Sequence, residues 1–314
     1  MTVATPTDIQ ILSDHPISTW YNCGGRAKRF ARPAGVEQLR RCVEIDPALR
    51  ILGEGANLLV ADRGVDELVV RLDQGEFTAL RIDQATATAH VGAGYDLMKL
   101  IHETHKAGLT GLENLGGIPA SVGGAVTMNA GGTFGQIADY VHAVHGVTRK
   151  GEVVRLARNQ IIFDYRHTDL GKAGSGMVIT TVELKLKRAV GEAGAAAARA
   201  KLKEVMAYKK KTQPMGADSC GCAFKNPTLL HDLRGIAVAG TRVSAGMLID
   251  KAGCKGLSVG GATVSAQHGN FLYASSPACT AADLIALMRQ VREKVKAMFD
   301  VTLQNEVVIW GDSL

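Results

Sequence analysis

Two glycine-rich loops carry the first chemistry that the residues offer. GEGANLLV runs from Gly53 to Val60 after an apolar run, and GGIPASVGGAVTMNAG spans Gly116 to Gly131. A backbone without Cβ atoms lets successive N–H groups converge on phosphate oxygens as an anion nest. Tight turns are the commoner use of such loops. Two in one chain, the second tied to an Asn-Ala-Gly-Gly turn, favour pyrophosphate binding. Gly53 and Gly55 lack the third glycine of G-x-G-x-x-G, and no G-x-x-x-x-G-K-[ST] occurs, so neither a Rossmann nor a P-loop motif is supported.

Other reactive side chains are less organised. His102 and His105 share a helical face without a third ligand, and His142 and His145 fall on opposite faces of a strand. Cys220-Gly-Cys222 lacks the second thiol pair of a zinc site, and no metal is expected. The densest basic run, Lys209-Lys210-Lys211, ends an Ala-rich helical segment, where cations complement the C-terminal dipole; a solvated helix end is favoured there over phosphate binding. The six cysteines lie in a chain large enough to fold without staples and read as reduced thiols.

The hydrophobic pattern supplies elements to position these residues. Val36 to Ile45 has helical spacing, while Ile51-Leu52, Leu68 to Val70 and Ala87 to Val91 read as strands. Tyr95 to Lys106 places Leu97, Leu100, Ile101 and Thr104 on one helical face, with Gly108 to end it. Eleven of the 36 glycines then fall between Gly92 and Gly135, mostly in a stretch that reads as neither helix nor strand. Val141 to Val147 and Glu152 to Leu156 form a hairpin, followed by a strand from Met177 to Leu186. Ala189 to Ala200 is a compositional break, and a domain boundary is placed there. An amphipathic helix from Ala281 to Phe299 turns Leu284, Leu287, Met288, Val291, Val295 and Met298 inward behind a Thr280–Asp283 capping pair. A last strand is predicted over Val301 to Trp310.

With 314 residues, several cores are expected. No apolar run approaches the roughly 20 residues of a membrane span, and the N-terminus lacks the basic flank and apolar segment of a signal peptide. A cytoplasmic protein without membrane contact is expected. A formal charge of +6 suits any polyanion, but 5% aromatic residues without aromatic–basic interleaving argue against a single-strand stacking platform. Neither a nucleic acid nor an obligate protein partner is inferred.

Six motifs occur in order: GEGANLLV, GLENLGGIPASVGGAVTMNAG, FDYR at Phe163 to Arg166, GCAFKNP at Gly221 to Pro227, GGATVSAQHGNF at Gly260 to Phe271, and LQNEV at Leu303 to Val307. Together they resemble the UDP-N-acetylenolpyruvoylglucosamine reductase family, of the type without the extra Tyr loop, from about Trp20 to Val308. The resemblance implies an α+β chain: a two-subdomain FAD-binding fold of the vanillyl alcohol oxidase (PCMH) type, then an α/β substrate-binding domain. The expected division is 1–80 and 81–190 for the FAD-binding subdomains, with a strand in 301–314 available to complete the first, and 200–300 for the substrate-binding domain. FAD is implied as a noncovalent cofactor and NADPH as reductant. The implied reaction converts UDP-GlcNAc enolpyruvate to UDP-N-acetylmuramate in peptidoglycan precursor synthesis. Hydride from the flavin adds to the outer vinyl carbon, and the charge left beside the carboxylate is spread and then protonated. Another flavin oxidoreductase on the same fold, or a flavin-binding protein without catalysis, are the alternatives.

Arg166 matches the family's catalytic arginine, whose fork of donors holds a carboxylate and the enolate developing from it. Glu306 matches the catalytic glutamate and can polarise the same carboxylate. Cys222 stands where the family usually has a proton-donating Ser. A thiol with an ordinary pKa of about 8.5 is mostly protonated at neutrality and is a stronger acid than a hydroxyl, so the exchange is chemically competent. It adds exposure to oxidation and to a Cys220–Cys222 bridge. The resemblance assigns cofactor contacts to Gly53, Gly55, Ala56, Asn57 and Leu58, and to Gly117, Ile118, Pro119, Ser121, Val122, Gly123, Gly124, Asn129 and Gly131. Ala56 and Ala120-Ser121 depart from the commoner Ser and Gly-Thr. Tyr165, Lys225, Asn226, His268 and Asn270 are implied for substrate.

Overall fold

The computed structural model describes residues 8–171, 176–214 and 216–311. The chain divides into two compact units. The first comprises residues up to His15, Ala27–Glu54 and Glu67–Lys209; the second comprises Pro16–Arg26, Gly55–Asp66 and the residues from Lys210 onward. Each has its own apolar core.

Two larger sheets dominate the first unit. In one, strands Ile11–Pro16, Arg26–Ala31, Val65–Arg71 and Arg50–Leu52 lie in that order, the last two parallel. Leu68, Val69 and Val70 are all buried, the pattern of a strand covered on both faces. The other sheet is antiparallel, in the order Val153–Ala157, Val141–Thr148, Met177–Lys185, Thr88–Gly92, Leu80–Asp83. Helix Val36–Ile45 buries Leu39 and Val43, and helix Leu97–Lys106 buries the four residues its spacing predicted. The second helix starts two residues later than expected, because Asp96 accepts the Lys99 N–H and caps it. Inside the glycine-rich stretch, which was expected to be irregular, a short helix Val122–Thr127 forms under a Ser121 cap.

The compositional break at Ala189 to Ala200 is no break in secondary structure. From Gly191 onward the stretch is part of a continuous helix, Gly191–Thr212, in which the helix preference of the alanines outweighs the cost of Gly194.

In the second unit, strands Ser258–Val259, Ala262–Val264 and Leu272–Ala274 form an antiparallel meander. Their core is shared with helices Ala245–Lys251 and Ala281–Phe299. Thr280 and Asp283 make the predicted capping box. Met298, expected inward, is exposed, and Phe299, four residues after the buried Val295, packs against the core in its place. The last strand is also shorter than predicted: only Val308–Trp310 pairs, in parallel with Leu58–Val60. Val301, Leu303 and Val307 are buried as the alternation required. Asn305, however, makes one bridge to Phe224 and accepts from Arg292 Nη2 at 2.7 Å, so no continuous ladder forms before Val308. Among the described residues, no helix is long and apolar enough to cross a membrane.

Candidate active site

The glycines of the two loops approach other parts of the chain closely. A Cβ on Gly53 would stand 2.9 Å from Ser121 Oγ, and one on Gly124 would stand 3.1 Å from the same atom. Gly53 and the Gly116–Gly131 loop therefore meet at the Ser121 hydroxyl, which a Cβ on either glycine would crowd. Ser121 Oγ accepts from the Gly124 N–H at 3.3 Å and retains its own proton for donation. Gly117, at φ +69, directs its N–H to Met98 Sδ, a weak acceptor that a phosphate oxygen would readily replace. These features fit a dinucleotide cofactor approached by backbone. Gly53, Gly117 and Ser121 are the residues that would hold it.

Other predicted contacts have work inside the chain. The Val122 and Gly123 N–H groups donate to the carbonyls of Tyr95 and Ala93, so neither amide is available to a phosphate. A Cβ on Gly131 would stand 2.5 Å from the Gly135 carbonyl oxygen, which makes it a tight-turn glycine. Ile118 packs against the core, Pro119 is exposed, and Ala56 is half-buried. Leu58 is buried in a strand, and Gly55 leaves space for the backbone at Ser18.

Arg166 occupies the turn of a short hairpin, Phe163–Asp164 with His167–Thr168. Its φ of 54° is left-handed, an uncommon conformation for a residue with a long side chain. Its guanidinium carbon lies 5.3 Å from the centre of the Tyr165 ring. Lys209 stands within its field. Burial, then repulsion from Arg166, pulls the Lys209 ammonium down to about 8. The basic run expected as a solvated helix end thus contributes one partly buried cation, Lys209, that the charge of Arg166 reaches. No sequence spacing pointed to it, since the charge of Arg166 reaches Lys209 only through the fold.

In the second unit, Cys222 and Glu306 are brought onto adjoining extended segments. Cys222 bridges to Phe271, Phe224 bridges to Asn305, and the Glu306 N–H donates to the Ala223 carbonyl at 2.8 Å. Both Cys222 and Glu306 are half-buried. Asn57, read as a cofactor contact, donates from Nδ2 to the Glu306 carbonyl at 3.1 Å, while its own carbonyl accepts the Val308 N–H. Glu306 is therefore tethered through both its N–H and its carbonyl.

Asn270, expected at the substrate, is buried and clamps Phe224 by accepting from its N–H and donating to its carbonyl. It shapes the segment that carries Cys222. Asn226 accepts the Ala245 N–H at the start of a helix. His268 accepts from the Asn270 N–H, lies edge-on to Phe271, and is held below the usual imidazole range by burial. Lys225 donates its backbone N–H to the Gln304 carbonyl.

The histidine pair on helix Leu97–Lys106 is resolved by geometry: His105 hydrogen-bonds Glu113 at 3.3 Å. Among the described residues, no cluster of His, Cys, Asp or Glu has the makings of a metal site. Cys220 is buried and donates to the carbonyls of Gly55 and Leu58.

Residues 27–157 match the family model described as FAD binding domain, and residues 213–310 match UDP-N-acetylenolpyruvoylglucosamine reductase, C-terminal domain. The UDP-N-acetylenolpyruvoylglucosamine reductase of Desulfosudis oleivorans is 40% identical over 95% of this chain and 94% of its own length. That of Heliobacterium modesticaldum is 36% identical over 97% and 92%. The crystal structure of the Thermus caldophilus enzyme covers 96% of this chain and 100% of its own, with a TM-score of 0.79 at 38% identity. With relatives matching over at least 95% of the chain and a cradle suited to FAD, the chain belongs to the UDP-N-acetylenolpyruvoylglucosamine reductase family.

Proposed function

We propose that this chain performs the NADPH-dependent reduction of UDP-N-acetylglucosamine enolpyruvate to UDP-N-acetylmuramate, in the cytoplasm, for peptidoglycan precursor synthesis. The observation that carries the reading is the match to reductases of this family over 95% of the chain. FAD, when bound, supplies the hydride that NADPH provides.

Arg166 holds the substrate carboxylate through its paired donors and stabilises the negative charge that grows beside it. Lys209 adds a second cation for the anionic nucleotide, whose charge relieves the repulsion between Lys209 and Arg166. Glu306 hydrogen-bonds the same carboxylate from a backbone fixed at Ala223 and Asn57. Cys222 delivers the last proton: its S–H bond breaks as a C–H bond forms at the carbon next to the carboxylate, and the thiolate recovers its proton from solvent.

The test is anaerobic. The flavin absorbance of the purified protein is bleached with NADPH, and UDP-N-acetylglucosamine enolpyruvate is then added. Return of the oxidised spectrum with formation of UDP-N-acetylmuramate is expected. A protein that NADPH reduces and this substrate leaves reduced would overturn the proposal.

A further inference from the structure

Asn129 has every hydrogen-bonding group of its side chain occupied within the first unit. The residue is 2% exposed and sits at φ 41°. Nδ2 donates to Gln136 Oε1 and to the Asp164 carbonyl, both at 2.9 Å, and Oδ1 accepts the Ala138 N–H at 3.3 Å. A primary amide has two donor hydrogens, and both are used here. None is left for a phosphate.

What the amide grips is one arm of the Arg166 hairpin. Asp164 immediately precedes Tyr165-Arg166, and on the other arm Thr168 donates from Oγ1 to the Thr127 carbonyl at 2.9 Å. Both arms are thus pinned to the Thr127–Asn129 stretch, which closes the short helix capped by Ser121. The left-handed backbone of Arg166 persists only where its surroundings over-determine it, and these two bonds are such a constraint.

We propose that Asn129, aided by Thr168, is a positioning residue that fixes the Arg166 turn for substrate reduction and is not a cofactor ligand. The inference rests on the catalytic reading of Arg166 given above. Displacement of a clamp by about 1 Å can cost on the order of 100-fold in rate, so the hairpin anchors belong to the mechanism as much as the guanidinium does.

The test uses the holoenzyme with Asn129→Asp, which keeps the acceptor but sets a carboxylate against Gln136 Oε1 and the Asp164 carbonyl. Thr168→Val removes the second anchor at nearly constant shape, and Thr168→Ser restores its hydroxyl. FAD affinity is read from flavin fluorescence. The rate of flavin reoxidation by UDP-N-acetylglucosamine enolpyruvate is read after reduction with dithionite.

Reoxidation is expected to slow by roughly tenfold or more in Asn129→Asp and Thr168→Val, with FAD affinity within about twofold of the parent and recovery in Thr168→Ser. In an Arg166→Ala background the same substitutions should add no further loss, because they act through the missing guanidinium. Weakened FAD binding with an unchanged reoxidation rate in the FAD-loaded fraction would overturn the inference, as would additive losses in the Arg166→Ala background. If Asn129→Asp does not fold, Thr168→Val and Thr168→Ser decide the matter alone. Parent-like reoxidation in Asn129→Asp and Thr168→Val beside a slow Arg166→Ala sinks this inference only. A parent-like Arg166→Ala sinks the reading of Arg166 as well.

Discussion

Cys222 and Cys220 are two residues apart and chemically unlike. Cys222 is half-buried, whereas burial pushes the Cys220 thiol up to about 12, and its Sγ donates to the Gly55 and Leu58 carbonyls. The thiolate is the reactive form, so Cys220 is shielded twice, by geometry and by protonation. Limited alkylation with iodoacetamide, mapped by mass spectrometry, should mark Cys222 well before Cys220. Cys222→Ala should lower turnover by about 100-fold or more while flavin reduction by NADPH continues, and Cys222→Ser should retain activity. Turnover undiminished in Cys222→Ala would remove the thiol from the reaction.

Lys209 gives a pH dependence whose sign is fixed. Its folded pKa, near 8, lies below that of an exposed lysine, so the ammonium is present below about 8 and lost above it. Binding that uses this charge should be full at lower pH and fall as pH rises through about 8. The alkaline limb of kcat/KM should therefore move up in Lys209→Arg, whose charge persists, and disappear with a lower plateau in Lys209→Met. An unchanged profile in both variants would show that the anion is bound without Lys209.

At the scale of elements, the five-stranded sheet carries a polar cluster across three neighbouring strands. Glu183 accepts from Arg155 Nε and Nη2 at 2.9 and 2.8 Å, and His145 Nε2 lies 2.6 Å from the same carboxylate. The Arg155 hydrogen bonds lead in holding the Glu183 carboxyl down to about 2, against the desolvation that opposes them. A carboxylate with a depressed folded pKa stabilises the fold above its ordinary value, near 4.5, and that contribution is lost as pH falls through about 2. Thermal melts of Glu183→Gln should thus lie below the parent at neutral pH, with the difference shrinking between about pH 4.5 and 2. A constant offset across that range would mean packing, not charge, is what the substitution disturbs.

For the whole molecule, cofactor binding should stabilise the fold measurably. A ligand that binds only the native state adds about 2.7 kcal/mol at 100 times its Kd. Resin-stripped apoprotein should melt below the FAD-loaded protein, and its Tm should climb with added FAD in step with occupancy. A Tm indifferent to FAD would contradict a cofactor seated at Gly53, Gly117 and Ser121.

The helix from Ala281 to Phe299, the hairpin before Met177 and the buried run at Leu68 to Val70 were all legible in the sequence, because each is set by local periodicity and capping. The motif set named Arg166, Cys222 and Glu306 as candidates, since those residues sit in short stretches recognisable without neighbours. Asn57, Asn129 and Asn270 were legible as polar residues in significant loops, but not by task. Their partners, the Glu306 carbonyl, the Asp164 carbonyl and the Phe224 peptide, lie 249, 35 and 46 positions away along the chain. Residue types and periodicity determine which elements form and which chemistry is carried. Only tertiary structure decided which amides hold the candidate catalytic residues and that Lys209 is partly buried where the charge of Arg166 reaches it, because hydrogen bonding and burial depend on distances that chain separation does not encode.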